Sequence, residues 1–243
     1  MAMERKTYLI FGATGGMGRA ISVALTNAGH QVHLAARNPE KLEELASELG
    51  ASFSVCDVLL PEQIKAAVEA AGPEVAGLVY AVGSIDLKPL RSTAEDSVHK
   101  AFSLNATGAM LAVQAAEKAL KTANGSVLLF STVAVGQGFA NHTTVSMVKG
   151  AVEGLTRALA AELAPKVRVN AIAPSLTATA MAAPLLGNET MRSSLAKVHP
   201  LGRLGEVEDM VGLATTLLGP SGNWITGQVI GVDGGRGALA GRG

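Results

Sequence analysis

The chain has 243 residues, 48% hydrophobic and 16% charged, a balance that excludes a disordered polypeptide. Twenty Lys and Arg offset twenty Asp and Glu, so no basic excess points to nucleic acid or an anionic membrane as partner. The single cysteine, Cys56, leaves no mate for an internal disulfide and too few ligands for a Cys-rich metal site. No apolar stretch approaches the ~20 residues of a membrane span, and the short apolar run before Gly12 is too brief for a secretory signal. The expectation is a cytoplasmic protein built as one domain over residues 1–243.

Short apolar runs alternate with longer helical patterns along the whole chain. Strands are predicted at Thr7–Phe11, Gln31–Ala36, 52–56, 78–81, Ser126–Phe130, 167–173 and Val229–Val232. Helices are predicted at 19–28, Pro39–Leu49, Pro61–Ala71, 94–121, 146–164 and 206–218. The run Val127-Leu128-Leu129-Phe130 is apolar on both faces, as a buried parallel strand requires. Asn38 followed by Pro39 gives a cap and a first-turn proline, and Leu49 followed by Gly50 gives a stop. Strand and helix in alternation imply an α/β fold: a doubly wound parallel sheet of about seven strands, helices on both faces, the Rossmann arrangement.

The first strand runs directly into Gly12-Ala13-Thr14-Gly15-Gly16-Met17-Gly18 and then a helix. A dinucleotide needs its pyrophosphate against backbone N–H groups at a helix N-terminus, and side chains would hold it away. Gly12, Thr14, Gly16, Met17 and Gly18 are therefore candidate cofactor contacts. At the end of the second strand, where an acid would mark a free ribose 2′-hydroxyl, the chain carries Arg37 and Asn38. A guanidinium there suits a 2′-phosphate and favours NADP over NAD, although Arg37 could equally be a solvated residue opening the next helix. Asp57 and Val58 close the third strand, where a carboxylate can receive an adenine amino group or simply end the strand.

With these motifs the sequence resembles the short-chain dehydrogenase/reductase superfamily over nearly its whole length. The glycine loop fits the family's T-G-x-x-x-G-x-G with Phe11 in place of Thr, so that Gly12, Gly16 and Gly18 match. Ala81-Val82-Gly83 falls on the family's N-A-G segment, with Tyr80 before it. Asn105 matches the helix Asn, 167–174 match the strand ending in Pro174, and 200–206, 224–229 and 232–235 match the C-terminal motifs. The resemblance leans toward 3-oxoacyl-acyl-carrier-protein reductases and polyketide ketoreductases. It implies a Tyr that protonates a carbonyl as hydride arrives and a Lys four residues on that binds the nicotinamide ribose and lowers the Tyr pKa. It also implies a Ser that bonds the carbonyl and an Asn that supports a water-linked proton path.

Lys149 is present, but the Tyr position four residues before it holds Val145, which has no proton to give. The Ser position falls on Thr132. The only tyrosines, Tyr8 and Tyr80, lie in strands elsewhere. His142 shares the Lys149 stripe to within roughly 40° if the helix extends back that far, and enoyl reductases of the superfamily place their Tyr at this spacing. The catalytic set expected is thus Lys149, Thr132, Asn105 and His142. Ala81, Gly83, Lys149, Pro174, Thr177 and Thr179 join the cofactor contacts. Residues 176–186 are small and apolar and suit a hydrophobic small-molecule substrate, or else a surface helix packed on a neighbour. Three functions remain open: an NADPH-dependent ketoreductase whose proton comes from substrate, water or His142; an imine or enone reductase; and a non-catalytic NADP-binding subunit or sensor. A homodimer or homotetramer pairing through 94–121 and 146–164 is expected.

Overall fold

The structure, a computed structural model, describes residues 5–239. Seven parallel strands form one sheet: β1 (Thr7–Phe11), β2 (Gln31–Ala36), β3 (Ser52–Val55), β4 (Gly77–Tyr80), β5 (Ser126–Phe130), β6 (Arg168–Pro174) and β7 (Val229–Val232). Their order across the sheet is β3-β2-β1-β4-β5-β6-β7. The chain winds outward from β1 to β3, then returns to the far side of β1 and winds the other way from β4 to β7. The point of reversal lies between β1 and β4, which pair from Tyr8 with Gly77 to Phe11 with Tyr80. Open sheets of this kind bind ligands at the carboxyl ends of the strands beside such a reversal.

The helices are α1 (Gly16–Asn27), α2 (Pro39–Leu49), α3 (Pro61–Ala71), α4 (Glu95–Phe102), α5 (Gly108–Ala123), α6 (Ala134–Gln137), α7 (Thr143–Leu163), α8 (Glu189–Lys197) and α9 (Glu208–Leu218). They divide by sheet face. Alternate side chains of β1 show the division: Leu9 and Phe11 pack with α3, α5 and α7, whereas Tyr8 and Ile10 pack with α1, α2 and α9. Ala109, Ala112 and Ala116 of α5 are fully buried, and these small side chains let that helix lie close to the sheet. Cys56, just past β3, is buried on the α3 face, and its amide donates to Ala36 O at 2.8 Å.

Most predicted boundaries agree with the observed ones, and four differences bear on the site. The helix predicted at 94–121 is α4 and α5 separated by a π turn over Ser103–Thr107. The glycine loop enters its helix at Gly16 rather than 19, which brings the first turn against the loop. Helix α7 starts at Thr143, with His142 as its N-cap residue. Segment 176–186 is irregular, ending in a short 3₁₀ turn over Ala183–Leu186, so the surface helix allowed for there is absent.

Candidate active site

The β1–α1 loop is shaped by backbone contacts that tolerate no side chain. Gly12 has φ +77°, and a Cβ on it would stand 2.7 Å from Ala81 O. A Cβ on Gly18 would overlap Gly12 O and come within 2.9 Å of Ala13 Cα. The loop after β1 thus rests directly on the loop after β4, at the sheet's reversal point. Helix α1 starts at Gly16 with no side-chain cap and no acid in its first turn, so its leading N–H groups are left for a ligand anion. Thr14 and Met17 are half-buried beside them.

At the end of β2, Asn38 uses its side chain to cap α2, accepting from Lys41 N at 2.8 Å. Arg37 is exposed and pairs with no carboxylate among the described residues. Asp57 Oδ1 accepts from Leu59 N at 3.0 Å and its amide donates to Gln63 Oε1 at 2.8 Å. Asp57 therefore ends the strand and organises the start of α3, with Val58 buried behind it.

The chemistry-bearing residues meet at the ends of β4 and β5. Lys149 Nζ donates to Phe130 O at 2.9 Å, which ties α7 to the tip of β5. Burial pulls the Lys149 ammonium down to about 8, because the charged form has lost solvation without gaining a carboxylate partner. Asn105 is 2% exposed; its Nδ2 donates to Ala101 O at 2.9 Å, while its Oδ1 is buried with no donor. Gly83 lies between the two, since a Cβ there would be 2.8 Å from Asn105 Oδ1 and 3.3 Å from Lys149 Nζ. Ser84, Asp86, Asn105, Thr144, Val145, Val148 and Lys149 line the cleft that results. Val145 occupies its wall as a half-buried hydrocarbon.

Thr132 lies just beyond β5, half-buried, its Oγ1 accepting from Ala134 N at 3.3 Å. Its neighbour Ser131 points the other way and donates to Glu153 Oε1 at 2.8 Å. Helix α7 thus grips the β5 tip twice, through Lys149 and through Glu153 one turn on. Glu153 was missed in the sequence, although its place four residues after Lys149 on one helix face was readable. His142 is not among the residues lining the cleft. Its Nδ1 donates to Ala140 O at 2.8 Å, and its ring meets the Phe139 ring edge-on at 5.4 Å.

At the end of β6, Pro174 O accepts from Val133 N at 3.1 Å. The two candidate threonines face differently. Thr179 reaches the glycine loop, its Cγ2 standing 3.2 Å from where a Gly16 Cβ would be. The Thr177 hydroxyl instead donates to Ser175 O at 3.0 Å, its side chain packed against Gly205. Ser175, where the family usually has Gly, donates to Nε2 of buried His199 at 2.8 Å, and His199 Nδ1 donates to Leu195 O. Among the described residues no His, Cys, Asp or Glu cluster could hold a metal ion, and no helix is long and apolar enough to cross a membrane.

Residues 12–236 match a family model described as Enoyl-(Acyl carrier protein) reductase. A tropinone reductase homolog of Arabidopsis thaliana is 34% identical over 96% of this chain and 93% of its own length. The carbonyl reductase family member 4 of Danio rerio is 34% identical over 93% of this chain and 96% of its own. Among solved structures, an actinorhodin polyketide ketoreductase with NADPH superposes with a TM-score of 0.92 at 27% identity, covering 97% of this chain and 98% of that one. The chain belongs to the short-chain dehydrogenase/reductase family and is an oxidoreductase of it.

Proposed function

We infer that the chain is an NADPH-dependent reductase that delivers hydride to a carbonyl of a hydrophobic small molecule without the family's tyrosine acid. The observation that carries this reading is the cluster itself: Lys149 and Asn105 converge on Gly83, and Val145 lines the same narrow cleft. The fit to a dinucleotide rests on the glycine cradle, which a Cβ at Gly12 or Gly18 would fill, and on the exposed Arg37, which meets no carboxylate among the described residues. When bound, the dihydronicotinamide supplies the hydride.

The chain's own residues would then work as follows. N–H groups of the Gly12–Gly18 loop, with Thr14 and Met17 beside them, hold the pyrophosphate, and Arg37 pairs with the 2′-phosphate. Asp57 and Val58 would border the adenine, and Ala81, Gly83, Pro174 and Thr179 would enclose the nicotinamide end. Lys149, now bonded to Phe130 O, would be the residue to hold the nicotinamide ribose hydroxyls. Thr132, which like His142 lies outside the residues lining the cleft, would reach the substrate oxygen only from its margin, with its hydroxyl hydrogen as donor. Reduction also consumes one proton, and with His142 outside the cleft lining its source is water or an acidic group on the substrate. General-acid help is worth about 10²–10⁴-fold, so an activated ketone can turn over without it.

A second reading has its own support. Asp86 brings a carboxylate to the same cleft, paired there with Lys88 Nζ at 3.1 Å, and a cationic iminium that took the place of that ammonium would accept hydride without a new proton.

Single-turnover NADPH oxidation against ketones, enones and cyclic imines tests both readings, and cofactor binding with no oxidation would instead support an NADP-binding sensor. Cofactor titration tests the Arg37 assignment. NADPH should bind more tightly than NADH by about 10-fold or more, and Arg37→Asp should reverse the order. Equal affinities in the unaltered chain would reduce Arg37 to a solvated surface residue.

A further inference from the structure

The helix that carries Asn105 is interrupted at that residue. The Gly108 amide, which in an α-helix would bond Leu104 O, reaches back to Ser103 O instead. The Leu104 carbonyl thereby loses its α-helical donor. The Tyr80 hydroxyl takes the place of that donor, at 2.7 Å.

Tyr80 is the last residue of β4, 2% exposed, with its ring centroid 6.0 Å from that of Phe11. Burial raises the phenol far above its ordinary range, so it remains a donor at every working pH. Space for the hydroxyl depends on position 108 being glycine, because a Cβ there would overlap Tyr80 Oη. Strand and helix are thus fitted to each other at one atom.

Asn105 is the next residue after the bonded carbonyl. Its Nδ2 is tied back to Ala101 O, which leaves Oδ1 as the free end, and that oxygen is buried without a donor beside Gly83 and Lys149. A buried acceptor in that condition is costly unless a ligand or water completes it.

We propose that Tyr80 is a positioning residue: its hydroxyl pins the π turn through Leu104 and so aims the Asn105 amide oxygen into the cleft beside Lys149, where it receives a water or a substrate hydroxyl. The proposal rests on the reading of this cleft as a reductase site. A tyrosine that only filled the core would be replaced by phenylalanine without consequence for Asn105.

Tyr80→Phe keeps the ring and removes the bond. With asparagine side chains ¹⁵N-labelled, the Asn105 amide pair is identified by its loss in Asn105→Asp. In Tyr80→Phe that resonance should shift or broaden, and the same resonance should move in Gly108→Ala, which drives the hydroxyl off the carbonyl from the helix side. Adding Gly108→Ala to Tyr80→Phe should change it little further, since the atom it displaces is already gone. On any substrate the unaltered protein reduces, Tyr80→Phe should lower kcat about tenfold or more while NADPH affinity stays within about twofold. An unmoved resonance in both single variants overturns the proposal, as does unchanged kcat. Loss of fold in both would make Tyr80 a structural prop and overturn it equally. If the unaltered protein reduces no ketone, enone or imine, the reductase reading fails, and the Asn105 resonance still decides the latch.

Discussion

At position 145 an isopropyl group stands where the family resemblance leads one to expect a phenol, beside Lys149 and Asn105. Val145→Tyr should therefore raise turnover of a simple unactivated ketone by about 10²-fold or more, and should add a loss of rate at alkaline pH as the new phenol deprotonates. No gain on simple ketones, with NADPH still bound, would mean that the cleft serves a substrate that brings its own proton. Lys149 makes a second prediction, about stability. Its ammonium titrates near 8 in the folded chain and near its ordinary 10.5 when unfolded. Below pH 8 the folded state carries the full cost of a desolvated charge, about 3 kcal/mol from that difference. Between pH 8 and 10.5 the unfolded chain binds more protons, so stability from this group rises with pH and the cost disappears. Lys149→Met should accordingly be more stable than the unaltered protein near neutrality, with the difference closing above pH 10. Denaturant midpoints for the two proteins, measured across that range, check the sign. The loop glycines were readable from their place between a strand and a helix, whereas Lys149 and Asn105 were singled out by the family resemblance. Tyr80 to Leu104, Ser131 to Glu153 and Ser175 to His199 were not, because each bond joins residues more than twenty positions apart.

Elements were readable to the extent that they bury a periodic face. Helices α2 and α3 matched their predicted bounds, each with Pro opening the first turn and Gly ending the last. Helix α8 has no buried residue, so no apolar period marked it, and only its Asn188 cap on Met191 N signalled a start. The π turn was invisible for another reason: Ala106 and Ala109 continue an apolar stripe, and a single shifted hydrogen bond leaves composition unchanged. Glycine's poor helix propensity delayed the predicted start of α1 to residue 19, although the loop needs glycine for clearance. That clearance is testable. Gly18→Ala must push a methyl into the backbone at Gly12 and Ala13, costing about 1–3 kcal/mol of stability. NADPH affinity should fall about tenfold or more with it, since the same shift opens the cradle. Retention of full affinity by a normally folded Gly18→Ala protein would separate the cradle from the cofactor.

Over the whole molecule, two hydrophobic layers lie on either side of one sheet, and that arrangement followed from alternating strand and helix patterns alone. The strand order did not follow from any single segment; it depends on the chain crossing back past β1 to place β4. The layer on the α3 side encloses the one thiol of the protein. Cys56 is 2% exposed, and burial first, with Asp57 adding to it, pushes its pKa up to about 11. At neutral pH almost none of it is thiolate, and no reagent reaches it while α3 covers the end of β3. The chain therefore carries its own stopwatch. Alkylation in native buffer should proceed only at the rate at which this layer opens, orders of magnitude slower than for a free thiol, and should be slower still with NADPH bound if the cofactor holds the closed form. Labelling at the free-thiol rate in native buffer would show that the α3 layer is not a lasting cover. A single mass shift, followed over hours, thus measures how long the protein stays shut.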